Sequence, residues 1–323
     1  MMLRRALPAV LLLAAIGGWL AVPVRWRVEG LSMAPGLMPD DIAESGWFPG
    51  LDRWRAPQRF ERWTLVEPDG AMAVKRVWAL PGEEIALVDG DLAVDGAVVV
   101  KPPAVLAELA LPVPHAITRR TATVVEVAID DPVFDDVPFA PGERRLLAPV
   151  RDIGIMAVVD ATALSGRSLP TVEVCVGDRV ANVGLAGAGR WVAVAGRLDG
   201  WFVAGVWPLG EGSDVADGAV VPRGASAVWS ITSPWVASGP VVTAAVECVV
   251  DEASEPLGVR IERVTVWRDL HALPPADGTA RWRLGPGEYL VLGDFPAGSR
   301  DSRHWGPLDA TRLRHRLAMP RSR

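Results

Sequence analysis

An uncharged, mostly apolar run near the N-terminus constrains this chain more than any other feature. Residues 6–24 carry no charge, and at about 1.5 Å per residue they reach about 28 Å, close to the ~30 Å hydrocarbon core of a bilayer. Two arginines precede the run, and Trp19 and Trp26 lie near its far end, where interfacial tryptophans are common. We therefore expect residues 6–24 to form an uncleaved transmembrane helix and residues 1–5 to lie in the cytoplasm.

A cleaved signal peptide is the alternative interpretation, because a short charged start before an apolar core is typical of one. The run is long for such a peptide, and Val24-Arg25-Trp26-Arg27 lacks the small residues of a cleavage site. An anchor is therefore favoured, although Arg25 and Arg27 weaken the charge asymmetry that orients it. The rest of the chain then lies outside the cytoplasm, close to the membrane face.

The composition indicates a compact, turn-rich fold. At 323 residues the chain can form one large domain or two smaller ones, and it is 50% apolar with 28 prolines and 32 glycines. The net charge of −6 argues against a nucleic-acid partner. Only Lys75 and Lys101 among the 33 basic residues are lysines, a bias that codon usage in a GC-rich genome would produce.

The two cysteines, Cys175 and Cys248, do not form a zinc pattern. The four histidines are scattered and form no HExxH motif, so we expect neither a metal nor a cofactor. In an oxidising compartment the cysteines could form a disulfide; as separate buried thiols they would act as small apolar residues. Both interpretations stay open.

β-Rich runs separated by turn residues predict a mainly β fold. Asp89-Gly90 and Asp95-Gly96 are strong hairpin signals, and Pro81-Gly82 suits a type II turn. The predicted strands of the two outer blocks are residues 62–66, 71–80, 85–88, 92–94, 97–100, 260–270 and 287–294.

The middle of the chain, residues 101–259, shows no internal repeat, no long helical period and no catalytic constellation. This pattern predicts a β-rich inserted domain with a sandwich arrangement. Its predicted strands include residues 123–128, 191–194, 201–206, 227–231 and 241–250. Residues 25–100 and 260–323 would then form the two parts of one β core.

Three separate stretches carry candidate chemistry. Ser32 lies in a turn just after the apolar run, where a serine alone is unremarkable. Lys75 shares a strand face with alanines and a valine, and burial there would lower its pKa toward the range in which a neutral amine can act as a base. In the third stretch Asp301 and Arg303 can form a charge-assisted pair, while Ser299 or Ser302 could donate to a neighbouring amine.

Taken together, these stretches resemble the bacterial signal peptidase I family, the membrane-bound serine–lysine leader peptidases. Residues 30–35 (GLSMAP) resemble its nucleophile box and residues 74–83 (VKRVWALPGE) its general-base box. Gly293-Asp294 and residues 299–306 (SRDSRHWG) resemble its closing box. The order, the spacing and the membrane segment agree, and the resemblance covers residues 1–100 and 260–315.

The resemblance implies a serine endopeptidase that cleaves signal peptides from exported preproteins. Ser32 would be the nucleophile, Lys75 the general base, and the backbone N–H of Ser32 the oxyanion donor, because Gly30 offers no side chain. The supporting residues implied by the closing box are Asp294, Ser299, Asp301 and Arg303. Substrates would carry small residues at positions −3 and −1, so small apolar pockets are implied near the nucleophile.

The resemblance also implies a location and partners. The expected location is the bacterial inner membrane, with a single span and the catalytic domain on the extracytoplasmic side. The implied partners are preprotein signal peptides, the lipid bilayer and the secretion machinery, without cofactor or nucleic acid.

Departures from the family pattern leave alternatives open. Phe295-Pro296 stand where the family has an asparagine, and Arg62-Trp63-Thr64 lack its Arg-Gly-Asp-like entry. One alternative is a catalytically inactive, membrane-anchored relative that acts as a binding or scaffold protein. The other is a specialised peptidase that processes a single pilin-like or conjugation substrate.

Overall fold

The computed structural model describes residues 22–46, 49–140, 142, 146–163, 169–209, 228–235, 240–249, 258–272 and 280–318. The chain divides into two compact units. The first unit comprises Met1–Val88, Ala93–Gly96 and Leu273–Arg323, and the second comprises Asp89–Leu92 and Ala97–Ala272.

Strands make up most of the regular structure. In the first half they are β1 (Arg25–Arg27), β2 (Ile42–Glu44), β3 (Arg62–Val66), β4 (Met72–Ala79), β5 (Glu84–Val88), β6 (Asp91–Val94), β7 (Ala97–Val98), β8 (Leu111–Val113), β9 (His115–Arg120), β10 (Val124–Ile129) and β11 (Ile153–Asp160). In the second half they are β12 (Thr171–Val176), β13 (Arg179–Gly184), β14 (Arg190–Leu198), β15 (Trp201–Leu209), β16 (Ile231–Pro234), β17 (Thr243–Val249), β18 (Arg260–Arg268), β19 (Arg281–Arg283), β20 (Glu288–Leu292), β21 (Leu308–Asp309) and β22 (Leu313–Arg316). The α-helices are α1 (Pro103–Leu109) and α2 (Ser302–Trp305), and the 3-10 helices are Pro49–Trp54, Pro296–Gly298 and Ala310–Arg312. The expected mainly β fold is therefore confirmed.

The first unit is built on a five-stranded antiparallel sheet in the order β21-β20-β4-β3-β22. β4 lies at its centre, hydrogen-bonded to β3 on one side and to β20 on the other. Trp63, Val77 and Val291 belong to the apolar cluster that covers this sheet. Because β4 has no free edge and is covered, its second half is buried throughout, including Lys75 and Arg76.

Two smaller strand pairs complete the first unit. β1 pairs with β2, and the chain between them contains the turn that carries Ser32. β5 pairs with β19. Asp95 and Gly96 have φ values of 49° and 82°, which are the left-handed values that a two-residue Asp-Gly hairpin turn requires, so the predicted turn is confirmed.

The second unit contains two antiparallel sheets, in the orders β13-β12-β17-β10-β9 and β16-β15-β14-β11-β18-β8. Buried and less buried residues alternate along β10 and β12, as expected for a sheet with one covered face. Val125, Val174, Ile155 and Ala193, two from each sheet, belong to one apolar cluster. The two sheets therefore form a sandwich, in agreement with the sequence.

Three details of the second unit differ from the sequence-based expectations. The prediction of a strand at residues 227–231 is wrong for the described residues 228–230. The observed strand β16 begins at Ile231, which is the first residue to pair with β15, opposite Ala204. Helix α1 was not expected; it has only seven residues, too few to show a helical period, and begins with Pro103. β18, assigned by the sequence to the second core block, pairs with β11 of the sandwich along its length.

No helix within the described residues is long and apolar enough to cross a membrane. The transmembrane helix predicted for residues 6–24 lies outside the described residues except for its last three positions, so it stays a prediction.

Both cysteines are free thiols in the structure. They lie on neighbouring strands of one sheet, but Cys175 is opposite Ala245 and Cys248 is opposite Val172. Burial raises the pKa of Cys248 to about 12, so this thiol stays protonated at neutral pH. The structure therefore favours the interpretation in which the two residues remain separate.

Candidate active site

Ser32 lies in a short turn that buried apolar residues hold in place. The N–H of Ala34 donates to the carbonyl of Leu31 at 2.9 Å, and the N–H of Leu37 donates to that of Met33 at 2.8 Å. Met33 and Leu37 belong to a small core cluster, whereas Ser32 is only half-buried. Neither the N–H nor the hydroxyl of Ser32 is hydrogen-bonded to any described residue, so both are available to a substrate.

Lys75 is buried at the centre of the five-stranded sheet, with 3% of its surface exposed. Its Nζ donates to Ser299 Oγ at 3.2 Å and lies 3.7 Å from Glu67 Oε1. Burial lowers the pKa of Lys75, and the negative charges of Asp301 and Glu67 oppose this effect without cancelling it. A covered amine with a lowered pKa has the property that a lysine base needs.

Residues 293–306, here called the closing loop, are fixed by a charged pair and by hydrogen bonds to the main chain. Arg303 Nε donates to Asp301 Oδ1 at 2.8 Å, and its Nη2 donates to Asp301 Oδ2 at 2.7 Å. Asp301 Oδ2 also accepts from the N–H of Gly293 at 2.9 Å, which ties the loop to the end of β20. Of the two serines that the sequence offered as partners for an amine, Ser299 contacts Lys75.

Ser302 has a different role from Ser299. Its hydroxyl accepts a hydrogen bond from the N–H of Val291 at 3.0 Å, and the residue is fully buried at the start of α2. Ser302 therefore fastens the closing loop to β20.

Ser32 and Ser299 meet around Gly293, and Ser299 in turn contacts Lys75. A Cβ at position 293 would lie 2.1 Å from Ser299 Oγ and 2.5 Å from the carbonyl oxygen of Ser32, so only glycine fits between them. The N–H of Phe295 donates to the same carbonyl of Ser32 at 3.0 Å. Ser32 is therefore joined to the closing loop, and the loop in turn to Lys75.

No hydrogen bond joins Ser32 Oγ to Lys75 Nζ, although both residues are described. The structure thus brings the two residues to neighbouring positions through Ser299 and Gly293, without direct contact between the hydroxyl and the amine. Their catalytic roles stay a prediction.

The Phe295-Pro296 departure leaves the loop well bonded. Besides the bond from Phe295 to Ser32, the carbonyl of Pro296 accepts from Arg303 Nη2 at 2.8 Å. The side chain of Phe295 is 3% exposed. The asparagine expected by family resemblance is thus replaced by main-chain contacts and a buried ring.

Sequence reasoning placed Asp294 in the site but missed its partner. Arg76 Nε and Nη2 donate to the two oxygens of Asp294 at 2.7 and 2.6 Å, and both side chains are almost fully buried. This bidentate pair joins β4 directly to the end of β20, next to Lys75. The positions are 218 residues apart, and the only signal was that Arg76 follows the candidate base.

Glu67 and Gly293 were also missed as functional positions. Glu67 directly follows β3, and its Oε1 lies 3.7 Å from Lys75 Nζ. The hairpin register places Trp63 opposite Lys75, so strand pairing alone would not have found Glu67. The close approach at Gly293 could not be read from the sequence.

In the described residues, one group of three potential metal ligands lies close together, and it belongs to the second unit: Asp91, Asp152 and Asp199.

The comparison with known families matches the first third of the chain. Residues 1–117 match the model of the family described as "Signal peptidase, peptidase S26". This range contains Ser32 and Lys75 and ends before the closing loop. The match confirms the resemblance to signal peptidases that the sequence motifs indicate, and it supports a peptidase of this type. A search of curated proteins found no match.

Proposed function

We propose that this protein is a membrane-anchored serine endopeptidase that cleaves signal peptides from exported preproteins. The observation that carries the proposal is the buried amine of Lys75, hydrogen-bonded to Ser299 Oγ beside the turn that holds Ser32. The family match over residues 1–117 supports the same reaction class.

In the proposed reaction Ser32 Oγ attacks the carbonyl carbon of the scissile bond while neutral Lys75 takes the hydroxyl proton. The tetrahedral intermediate collapses, the C–N bond breaks, and the leaving amine takes the proton from Lys75. Water then attacks the acyl-enzyme, with Lys75 again accepting a proton. The ester bond to Ser32 Oγ breaks, Lys75 returns the proton to Oγ, and the signal peptide leaves with a new carboxylate. Oγ and Nζ must approach to about 2.6–3.2 Å for the first step, and such contacts often tighten only when substrate binds.

The oxyanion is proposed to bind the backbone N–H of Ser32, which donates to no described residue. The position of a Cβ at Gly30 is open, with no atom within 4 Å. A substrate chain can therefore approach the turn from this side. The pockets for small residues at −3 and −1 stay a prediction.

The proposed location follows from the sequence. Residues 6–24 would anchor the chain in the bacterial inner membrane, with the Ser32 turn eight residues beyond the span on the extracytoplasmic side. A signal peptide cleavage site emerges near this surface, and the secretion machinery would deliver the preprotein there.

The test is cleavage of a preprotein that carries alanine at −3 and −1, with the product identified by its N-terminal sequence. Wild-type protein is expected to release the mature chain, whereas Ser32→Ala and Lys75→Arg are expected to lose the activity. The arginine variant is informative because its side chain keeps the charge but cannot lose its proton. Ser230→Ala, at an exposed serine of the second unit, is the matched control and should cleave like wild type.

The rival function is an inactive, membrane-anchored binding protein, which the missing contact between Ser32 Oγ and Lys75 Nζ favours. If wild-type protein cleaves no more substrate than Ser32→Ala, the rival is correct. If wild type cleaves one pilin-like substrate and no general preprotein, the specialised peptidase is correct.

A further inference from the structure

Three aspartates from distant parts of the chain meet in the second unit. Asp91 begins β6, Asp152 immediately precedes β11, and Asp199 lies in the turn between β14 and β15. One carboxylate oxygen from each lies within 4.8 Å of the others. These carboxylates are drawn together by the fold and not by a local acidic run.

Main-chain N–H groups fix two of the three carboxylates. Asp152 Oδ2 accepts from the N–H of Asp199 at 2.6 Å, and Asp199 Oδ2 accepts from the N–H of Lys101 at 2.7 Å. Asp199 has a φ of 51° in an Asp-Gly turn, and it is fully buried. The carboxylates of Asp152 and Asp199 are therefore held by the backbone and excluded from solvent.

Asp91 supplies the independent sign of a missing ligand. The residue is 8% exposed, and its Oδ1 is buried without a hydrogen-bond partner. Leaving a buried carboxylate oxygen unpaired costs on the order of 1–3 kcal/mol or more. A buried, unpaired oxygen beside two fixed carboxylates is an arrangement that a bound cation would satisfy.

The charges of the cluster do not balance. Lys101 Nζ pairs with Asp199 and, at 2.6 Å, with Asp269 Oδ2, while Arg197 Nε lies 3.3 Å from Asp152 Oδ1. Arg268 lies close by as well: its Nη1 donates to the carbonyl of Asp269 at 3.3 Å, and its Nη2 lies 3.9 Å from Asp136 Oδ1. The four carboxyl groups of Asp91, Asp152, Asp199 and Asp269 therefore outnumber the cations of Lys101 and Arg197 that pair with them.

We propose that Asp91, Asp152 and Asp199 bind one divalent cation, with Ca²⁺ as the preferred ion. Carboxylate oxygens are the ligands of hard cations, and Ca²⁺ is commonly bound in sites built mainly from protein oxygens. Mg²⁺ keeps several of its waters and is seldom held by protein ligands alone. A bound ion would join β6, the start of β11 and the β14–β15 turn.

Protons are the competing occupants of the site. Burial, and next the negative charge of Asp152, raise the pKa of Asp91 to about 9. Without a cation this carboxyl group is protonated at neutral pH, so binding of Ca²⁺ must displace a proton. Direct titration with metal distinguishes a site that binds a cation from one that only binds a proton.

The experiment is calorimetric titration of full-length, chelator-treated protein with Ca²⁺, paired with thermal unfolding in Ca²⁺ and in chelator. Wild type is expected to bind one Ca²⁺ per chain and to unfold at a higher temperature with the ion. In Asp91→Asn and Asp152→Asn we expect the affinity to fall at least ~10–100-fold, the loss that even an outer-shell change produces.

The matched control is Asp89→Asn. This side chain is 76% exposed and lies two residues before Asp91, and its φ of 52° suits asparagine equally well. The control should bind Ca²⁺ like wild type. Asp91→Asn removes no hydrogen bond of the described structure, so it tests the site even if Asp152→Asn fails to fold.

Two results would overturn the proposal. One is the absence of binding heat and of any thermal shift with Ca²⁺, Mg²⁺ or Mn²⁺ in folded wild-type protein. The other is unchanged affinity in Asp91→Asn, which would locate the ion elsewhere. Neither readout uses peptidase activity, so the outcome is independent of the proposed function.

Discussion

Replacing Ser299 by alanine tests whether its hydroxyl positions the proposed base. The change removes the one hydrogen bond that Lys75 makes to a hydroxyl, at 3.2 Å. It adds no atom, so it introduces no clash with the neighbouring Gly293. What remains near the amine is Glu67 Oε1 at 3.7 Å, which would draw Nζ away from the Ser32 turn.

The magnitude follows from the strength of the lost bond. A net hydrogen bond contributes about 0.5–1.5 kcal/mol between neutral groups and about 1.5–3 kcal/mol when one group is charged. Since 1.36 kcal/mol corresponds to a tenfold change in rate, we expect kcat for Ser299→Ala to fall about 10- to 100-fold. KM should change little, because Ser299 is proposed to hold the base and not the substrate.

The assay is steady-state cleavage of a signal peptide substrate across a range of pH, together with thermal unfolding. Ser302→Ala is the control, because it removes a buried hydroxyl three residues away. It leaves the N–H of Val291 unpaired and should cost on the order of 1–3 kcal/mol of stability, with kcat close to that of wild type. The reasoning is refuted if Ser299→Ala keeps the wild-type kcat, or if folded Ser302→Ala loses as much activity.

Two further substitutions test electrostatic features of the same unit. Glu67→Gln removes a negative charge that raises the pKa of Lys75 against burial, so the pKa of Lys75 should fall further. Because the base acts as the neutral amine, the rising limb of the pH–rate profile should move to lower pH. An unmoved limb, or one shifted to higher pH, would contradict this. Asp294→Asn removes the carboxylate that pairs with the buried charge of Arg76 and should cost about 3–5 kcal/mol of stability, measured as a fall in Tm on the order of 10 °C. The control Asp40→Asn, in an exposed ion pair, should cost less than about 1 kcal/mol. Equal losses of stability in the two variants would show that burial of the pair is unimportant.

The residues of the candidate site could be predicted from the sequence because they lie in three short motifs. Ser32, Lys75 and Ser299 were all identified, and the structure brings their segments together. Burial of Lys75 could be read from the period-two pattern, since the other residues on its face are small and apolar. The hairpin turn at Asp95-Gly96 was likewise a local signal, because left-handed φ values are strongly tied to this dipeptide.

The missing parts of the prediction depend on contacts between distant residues. The Arg76–Asp294 pair requires β4 and β20 to be neighbours, and the order of strands in a sheet cannot be predicted from local sequence patterns. The same holds for β18, which looks like other strands but pairs with β11 of the second unit. The three aspartates of the proposed cation site lie 47 or more residues apart in the sequence, and no local pattern shows that they converge.

The two lysines of the chain show why burial alone does not fix the state of an amine. Lys75 has one carboxylate in ion-pair contact, that of Glu67 at 3.7 Å, and it also feels the negative charge of Asp301; burial outweighs both charges, so its pKa is lowered. Lys101 is buried even more completely, but the carboxylates of Asp199, Asp269 and Asp91 outweigh the effect of burial, and its pKa is raised well above the usual value. The number of carboxylates within contact therefore decides which lysine can act as a base. By the same logic, moving a second carboxylate into contact with Lys75 would keep that amine protonated and prevent the proposed reaction, without altering the fold of the sheet that buries it.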